Sequence, residues 1–460
     1  MCIYLSEVLL MRFITLEDAE KLDKKAVAKL YKNHYNPSLY KLLKYTGLDI
    51  QFVSATDIYV YDKDGNEYLD FIAGFGALNI GHNNKKVIEA INKASEKPNL
   101  LEQNINLYNG ILANNISYLT QGVLSMCHFT NCGTETVEEA IKLAMLYNPE
   151  GAIIYCSKAY HGKTLGAISA LGDEALKQKY SIPRKGFIEV PFGDFNAIRQ
   201  VVDKFKVSAI LLEPIQGEGG INIPPIEYLK NIRQLCHKED IIFILDEIQT
   251  GLGRCGSMFC YETFGTEPDI LCLSKSLSGG IIPIGCIAVE ENLWNCTYGK
   301  LKNATLLSTT FGGNTLACVA AIKTLDIIIE ENLPRKAKEL GMYAMKELQK
   351  LKNKYSIITD IRGKGLMIGI EFKSLELVKS KMTIELMITT IISTMLKHHK
   401  IICGFTVNNP TVLRFEPSLT IEKKHIDYFI NSLDSVLSKQ STILEIAVST
   451  AKNLVTNVLS

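Results

Sequence analysis

A lysine at the end of an apolar run is the residue of this chain best placed to do covalent chemistry. Lys275 follows Pro268-Asp-Ile-Leu-Cys-Leu-Ser and precedes Ser-Leu and the turn Ser278-Gly279-Gly280. At the mouth of a buried strand an ammonium is costly unless it is paired or covalently used. Burial also lowers its pKa and makes the amine a nucleophile toward carbonyls. The bland alternative is a lysine that snorkels beside a turn, and its company decides between the two. Asp246 closes the apolar run Ile241-Ile-Phe-Ile-Leu, and Gln249 lies three residues on. A carboxylate there needs a cationic or N–H partner, such as a protonated pyridine nitrogen, or it caps the next turn. Asn131-Cys-Gly-Thr-Glu opens a helix, where Gly133 and Thr134 can present free N–H groups and a hydroxyl to phosphate; Thr134 is equally an ordinary N-cap. Tyr160, in Tyr160-His161-Gly162, can stack on a planar ring or pack in the core. Glu213 and Glu218 flank Pro-Ile-Gln-Gly, a tight segment on which one carboxylate can gate a substrate.

Two further patterns suggest other chemistry and fail on inspection. Gly251-Leu-Gly-Arg-Cys-Gly256 fits a dinucleotide fingerprint, but the segment after it is short and ends in glycine, and no acidic residue stands where a ribose carboxylate belongs. Gly162-Lys-Thr resembles the end of a P-loop whose first glycine is replaced by Ser157.

Open α/β sheets bind ligands beyond the carboxyl ends of their strands, and these candidates fall there. The runs at 152–156, 209–213, 241–246 and 270–274 are short and continuously apolar, as expected of strands buried on both faces of a mostly parallel sheet with helical crossovers. A hairpin is expected over 58–71 around Asp64-Gly65-Asn66. Helices are expected over 14–48 and 383–398, strands near 365–372 and 411–415, and a weakly amphipathic helix over 438–460. The division expected is an N-terminal segment 1–98 contributing to a small α+β domain, a large cofactor domain 99–345, and a C-terminal small domain 346–460.

The chain has 460 residues, 47% apolar and 22% charged, with net charge +1. That balance reads as soluble and globular and gives no electrostatic footprint for nucleic acid or an anionic membrane. Twelve cysteines lack paired or metal-binding spacing, so reduced thiols and a cytoplasmic location are expected, with no metal site. No apolar segment reaches the roughly 18 residues of a membrane span. Met1–Phe13 is apolar but carries Glu7, with no basic start or cleavage site, and reads as retained; Met11 is an alternative start.

Taken in order, these motifs resemble the fold-type I enzymes that use pyridoxal 5′-phosphate. More narrowly they resemble the class III aminotransferases, the group of the ornithine, acetylornithine and 4-aminobutyrate enzymes. The likeness runs from about Leu48 to Leu437. It includes Asp70-to-His82, Asn131-Cys-Gly-Thr-Glu, Tyr160-His-Gly, Glu213-Pro-Ile-Gln-Gly-Glu, Leu245-Asp-Glu-Ile-Gln-Thr-Gly, Leu273-Ser-Lys and Thr310-Phe-Gly-Gly-Asn. Thr15-Leu-Glu-Asp-Ala-Glu and Gly404-Phe-Thr-Val-Asn-Asn-Pro-Thr-Val-Leu-Arg-Phe-Glu-Pro look closest to the putrescine aminotransferase branch.

The resemblance implies roles. Lys275 would hold the cofactor covalently and shuttle the substrate proton. Asp246 would keep the pyridine nitrogen protonated, Gln249 would contact the ring hydroxyl, and Tyr160 would stack on the ring. Gly133 and Thr134 would bind the phosphate, joined by Thr310 from a partner subunit, which makes the enzyme a homodimer with shared sites. Arg414 would take the carboxylate of the oxo acid, Glu218 would pair with Arg414 when an amine without a carboxylate is bound, and Phe75 would line the substrate. Cys132, Leu307 and Thr315 depart from the common serine, histidine and proline. The implied reaction moves the terminal amino group of a putrescine-like diamine to a 2-oxo acid such as 2-oxoglutarate by a ping-pong mechanism in polyamine catabolism. Ornithine, acetylornithine or 4-aminobutyrate are alternative donors; an aminomutase and a nicotinamide-linked dehydrogenase are the more distant alternatives.

Overall fold

The computed structural model describes residues 13–100, 104–182, 185–373 and 381–439. The expectations for the stretch before Phe13 and for the tail beyond Lys439 lie outside them. Fifteen strands are described. In chain order they are β1 (Phe52–Thr56), β2 (Tyr59–Asp62), β3 (Glu67–Asp70), β4 (Met126–Thr130), β5 (Ala152–Cys156), β6 (Phe187–Val190), β7 (Val207–Leu212) and β8 (Ile242–Asp246). Then follow β9 (Ile270–Leu273), β10 (Gly285–Val289), β11 (Ile358–Lys364), β12 (Met367–Phe372), β13 (Ile401–Ile402), β14 (Gly404–Phe405) and β15 (Val412–Phe415).

The central sheet has the order β4-β10-β9-β8-β7-β5-β6, and β10 alone in it runs against its neighbours. It is the mostly parallel sheet expected from the apolar runs. Every residue of β7, β8, β9 and β10 is buried. Successive side chains of a strand point to opposite faces, so each run feeds two cores. Ile210, Leu212, Phe243, Leu245, Leu271 and Leu273 enter one core. Ala209, Leu211, Ile242, Ile244, Ile270 and Cys272 enter the other, against the helix Gly133–Tyr147. Burying each such Leu, Ile or Phe contributes about 1.5–3 kcal/mol. A charge at Ile244 would enter the second of these apolar cores.

Two four-stranded sheets complete the fold. One is β11-β12-β15-β14, antiparallel throughout, packed against the helix Leu333–Lys354. In the other, order β1-β2-β3-β13, the expected hairpin pairs in parallel with β13, so strands from the two ends of the chain share a sheet. Among the described residues no helix is long and apolar enough to cross a membrane.

Candidate active site

Adjacent strands β8 and β9 end at the same edge, with Asp246 opposite Cys272. Lys275 follows three residues later, at φ 42°, a left-handed backbone that costs a lysine energy and persists only where its surroundings impose it. The Ser274 hydroxyl donates to Ile284 O at 2.7 Å and ties the turn to β10. Lys275 lines a cavity of about 320 Å³ with Gly133, Thr134, Tyr160, Asp246 and Gln249. Burial lowers its amine below the ordinary lysine value, assisted by Arg414 and opposed by Asp246, Glu416 and Glu218.

Asp246 is buried. Its Oδ1 accepts the Ile248 N–H at 3.0 Å, and its Oδ2 lies 2.8 Å from His161 Nδ1. Burial opposes charge on His161, yet its hydrogen bond to Asp246 and the nearby carboxylates raise its pKa above the histidine value. Glu213 stands behind this pair, accepting from Tyr160 N at 3.0 Å and Gly217 N at 2.8 Å. Burial pushes its carboxyl up to about 7, against the pull of His161 and with Asp246 adding to the rise.

The floor of the cavity is the start of the helix Gly133–Tyr147. Cys132 makes no side-chain cap there. Thr134 Oγ1 lies 2.8 Å from Thr164 Oγ1, which itself donates to Glu138, so the Thr134 hydroxyl is engaged and the unpaired donors are backbone N–H groups. Gly162, at φ 126°, lets the Tyr160 loop reach this turn; a Cβ there would collide with the Thr134 side chain.

Beside the cavity, Arg414 on β15 is fully buried between two carboxylates, Glu218 Oε1 at 2.5 Å and Glu416 Oε2 at 3.0 Å. Both carboxylates raise its pKa against the cost of burial. The Phe75 ring lies 5.6 Å from its guanidinium carbon. Phe75 belongs to four consecutive left-handed residues, Ala73, Gly74, Phe75 and Gly76, at φ 43°, 60°, 58° and 81°. Asp70 Oδ1 holds the entry to this turn by accepting from Ile72 N at 2.8 Å and Ala73 N at 2.9 Å. Gln249 Nε2 donates to Phe75 O at 3.0 Å and lies 3.4 Å from Glu416 Oε2.

The family model for aminotransferase class-III matches residues 44–437. The chain belongs to the class III aminotransferases. A putrescine aminotransferase from Pectobacterium atrosepticum is 37% identical over 428 residues, covering 90% of this chain and 88% of that protein. Aminotransferase PigE from a Serratia species is 33% identical over 90% of this chain, which spans 54% of that longer protein. Among solved structures, an ornithine aminotransferase from Toxoplasma gondii superposes with TM-score 0.83 at 27% identity, over 94% of this chain and 99% of its own. The expected α/β architecture of fold-type I is the one these proteins share.

The aminotransferase is therefore a transaminase, and its cofactor is pyridoxal 5′-phosphate. The residues present fit that group. An uncapped helix start suits a phosphate, a buried carboxylate suits a protonated ring nitrogen, and a lysine of lowered pKa suits a carbonyl.

The cavity of the aminotransferase brings together Lys275, Asp246, Gly133, Thr134, Tyr160, Gln249 and Glu218. Phe75 and Arg414 stand beside it. Thr310 is exposed and lies apart from the cavity of its own chain. The helix cap is Cys132 rather than Thr134. The loop Gly251–Gly256 is packed with its own protein: a Cβ on Gly253 would fall 2.9 Å from Leu419, and one on Gly256 3.0 Å from Lys338. Arg254 in this loop is fully buried and donates to Leu366 O at 3.1 Å, and also to Pro417 O and Asn79. Sequence reasoning gave no role to His161, and it passed over Glu416. His161 adjoins the aromatic Tyr160, a usable signal; Glu416 follows Arg414 by two residues, the spacing that puts both on one face of a strand.

Proposed function

We propose that this aminotransferase moves the terminal amino group of a putrescine-like diamine to a 2-oxo acid such as 2-oxoglutarate, in two half-reactions. The observation that carries this reading is the Glu218–Arg414 ion pair at 2.5 Å. It neutralises the arginine when the donor has no carboxylate to offer, and it leaves a bidentate site for an oxo acid when Glu218 turns away. The likeness to the Pectobacterium putrescine aminotransferase supports the donor, and the apolar Phe75 ring suits its methylene chain.

When bound, the cofactor supplies the electron sink and carries the amino group from donor to acceptor. The chain's own groups do the rest. Lys275 would hold the cofactor, and its free amine would carry the proton between the donor carbon and the cofactor. Asp246 would keep the ring nitrogen protonated, with His161 orienting the carboxylate. Tyr160 would cover the ring, Gln249 would serve the ring hydroxyl, and the N–H groups of Gly133 and Thr134 would hold the phosphate. Thr310 reaches the phosphate of a partner's site in a homodimer. The described residues within 1–98 and 346–460 form the small domain around 99–345, a division supported by the β3–β13 pairing. The eleven free cysteines described favour a reducing, cytoplasmic setting.

A donor panel with 2-oxoglutarate tests this reading. Putrescine should exceed ornithine, acetylornithine and 4-aminobutyrate in kcat/KM. Preference for an amino acid donor would reject the diamine assignment, and turnover by Lys275→Ala would reject the chemistry.

A further inference from the structure

Glu218 has a second restraint besides Arg414. Its Oε2 accepts the Val407 N–H at 2.8 Å, and its backbone carbonyl accepts the Asn408 N–H at 2.9 Å. The segment 406–409 that supplies these donors connects β14 to β15, so it leads directly into the strand of Arg414. Asn408 fastens it across the cavity rim. Its side-chain amide donates to Lys158 O at 3.1 Å and Ala159 O at 3.2 Å, the two residues before Tyr160. Thr406 Oγ1 closes the turn on Asn409 O at 2.6 Å.

The backbone beneath Glu218 is anchored independently. Arg362 Nε donates to Gly220 O at 3.0 Å and Ile221 O at 3.2 Å, and the guanidinium is itself held by Asp360 and Glu371. A Glu218 that leaves Arg414 therefore does so by side-chain rotation, with its own carbonyl still bound to Asn408. The rotation gives up two contacts: the ion pair and the Val407 N–H. Val407 is half exposed, so water can replace the carboxylate on its N–H.

We propose that the 406–409 segment is a latch on Glu218, and that Asn408 is a positioning residue setting the balance between amine and oxo-acid recognition. The closed state, with Glu218 on both Arg414 and Val407, suits the amine. An oxo acid binds Arg414 only in the open state, so its apparent affinity is reduced by the fraction of molecules that are open. Loosening the latch raises that fraction without touching either substrate.

The inference rests on the proposed role of Arg414 as the carboxylate site, and the experiment separates the two. Steady-state KM values for putrescine and 2-oxoglutarate are measured in Asn408→Ala and in Val407→Pro, which deletes the N–H donor directly. Removing the Val407 donor, or the Asn408 amide that fastens the segment to Lys158 and Ala159, should lower the 2-oxoglutarate KM by about three- to tenfold, with the putrescine KM rising or unchanged. General loosening of the site would instead raise both. An oxo-acid KM that is unchanged or raised in both variants overturns the latch. Arg414→Ala is the control: an unchanged 2-oxoglutarate KM there overturns the reading of Arg414 itself, while a raised one leaves the latch to stand or fall on Asn408 and Val407.

Discussion

His161 Nδ1 stands 2.8 Å from Asp246 Oδ2, while the opposite ring nitrogen has no hydrogen-bond partner among the described residues. The pair fixes the carboxylate in one rotamer and shares its charge with an imidazole in a fully buried place. In His161→Phe, Asp246 would keep, among its hydrogen bonds to described residues, only the Ile248 N–H. The loss should lower kcat by about ten- to a hundredfold, with the fold retained by circular dichroism. A kcat within twofold of wild type would deny the histidine an orienting role.

Glu213 titrates near 7 in the folded chain, against 4.5 for a free glutamate. The folded state thus holds this proton more tightly than the unfolded state does. Stability contributed by the protonated carboxyl is present at low pH and is lost as pH rises between about 5 and 7. Denaturant titrations across that window should show the decline in wild type and its absence in Glu213→Leu. Equal slopes would assign the titration to another group.

Lys275 is lowered by burial, so the folded apo-protein binds its proton less tightly than the unfolded chain. Its cost is present at neutral pH and disappears as pH rises toward the ordinary lysine value. Lys275→Met removes the cost. The apo-variant should be more stable by on the order of 1 kcal/mol at pH 7 and have no turnover. Calorimetry of both apo-proteins checks it; a less stable variant would contradict the cost.

Gly162→Ala should part the Tyr160 loop from the phosphate turn, since φ 126° and the Thr134 side chain both exclude a Cβ. We expect cofactor affinity to fall at least about tenfold, measured by absorbance titration of apo-protein. Unchanged affinity would mean that the turn does not hold the phosphate.

Arg254→Met should cost about 3 kcal/mol, because carbonyl oxygens of Leu366 and Pro417 and the Asn79 amide lose their donor in the interior. A Tm within about a degree of wild type would show that water takes its place.

The central strands were readable because β7, β8 and β9 are buried on both faces, so that whole runs turned apolar and Asp246 and Lys275 stood out at their ends. The glycine fingerprint at 251–256 misleads for a physical reason: its glycines admit Leu419 and Lys338 side chains rather than a pyrophosphate. Arg414 sits on a four-residue antiparallel strand without a local signature, and only family resemblance singled it out. Glu416 escaped because its partner Gln249 lies 167 positions away in the sequence. The left-handed turn at Phe75 left a trace in Gly74 and Gly76, yet Ala73 and Phe75 adopt it without being glycine, under the hold of Asp70.

The pairing of Asp246 with Cys272 makes the sheet a ruler. Neighbouring strands lie about 4.8 Å apart whatever side chains they carry, so the offset between carboxylate and amine is graduated in whole residues of backbone. Arg414 is measured from a different sheet. Redesign of substrate choice can therefore trade residues along β15 and the 406–409 segment while the cofactor's two fixed points keep their scale. A single-residue insertion in β8 or β9 cannot be absorbed in the same way, since it would turn every following side chain of that strand to the wrong face.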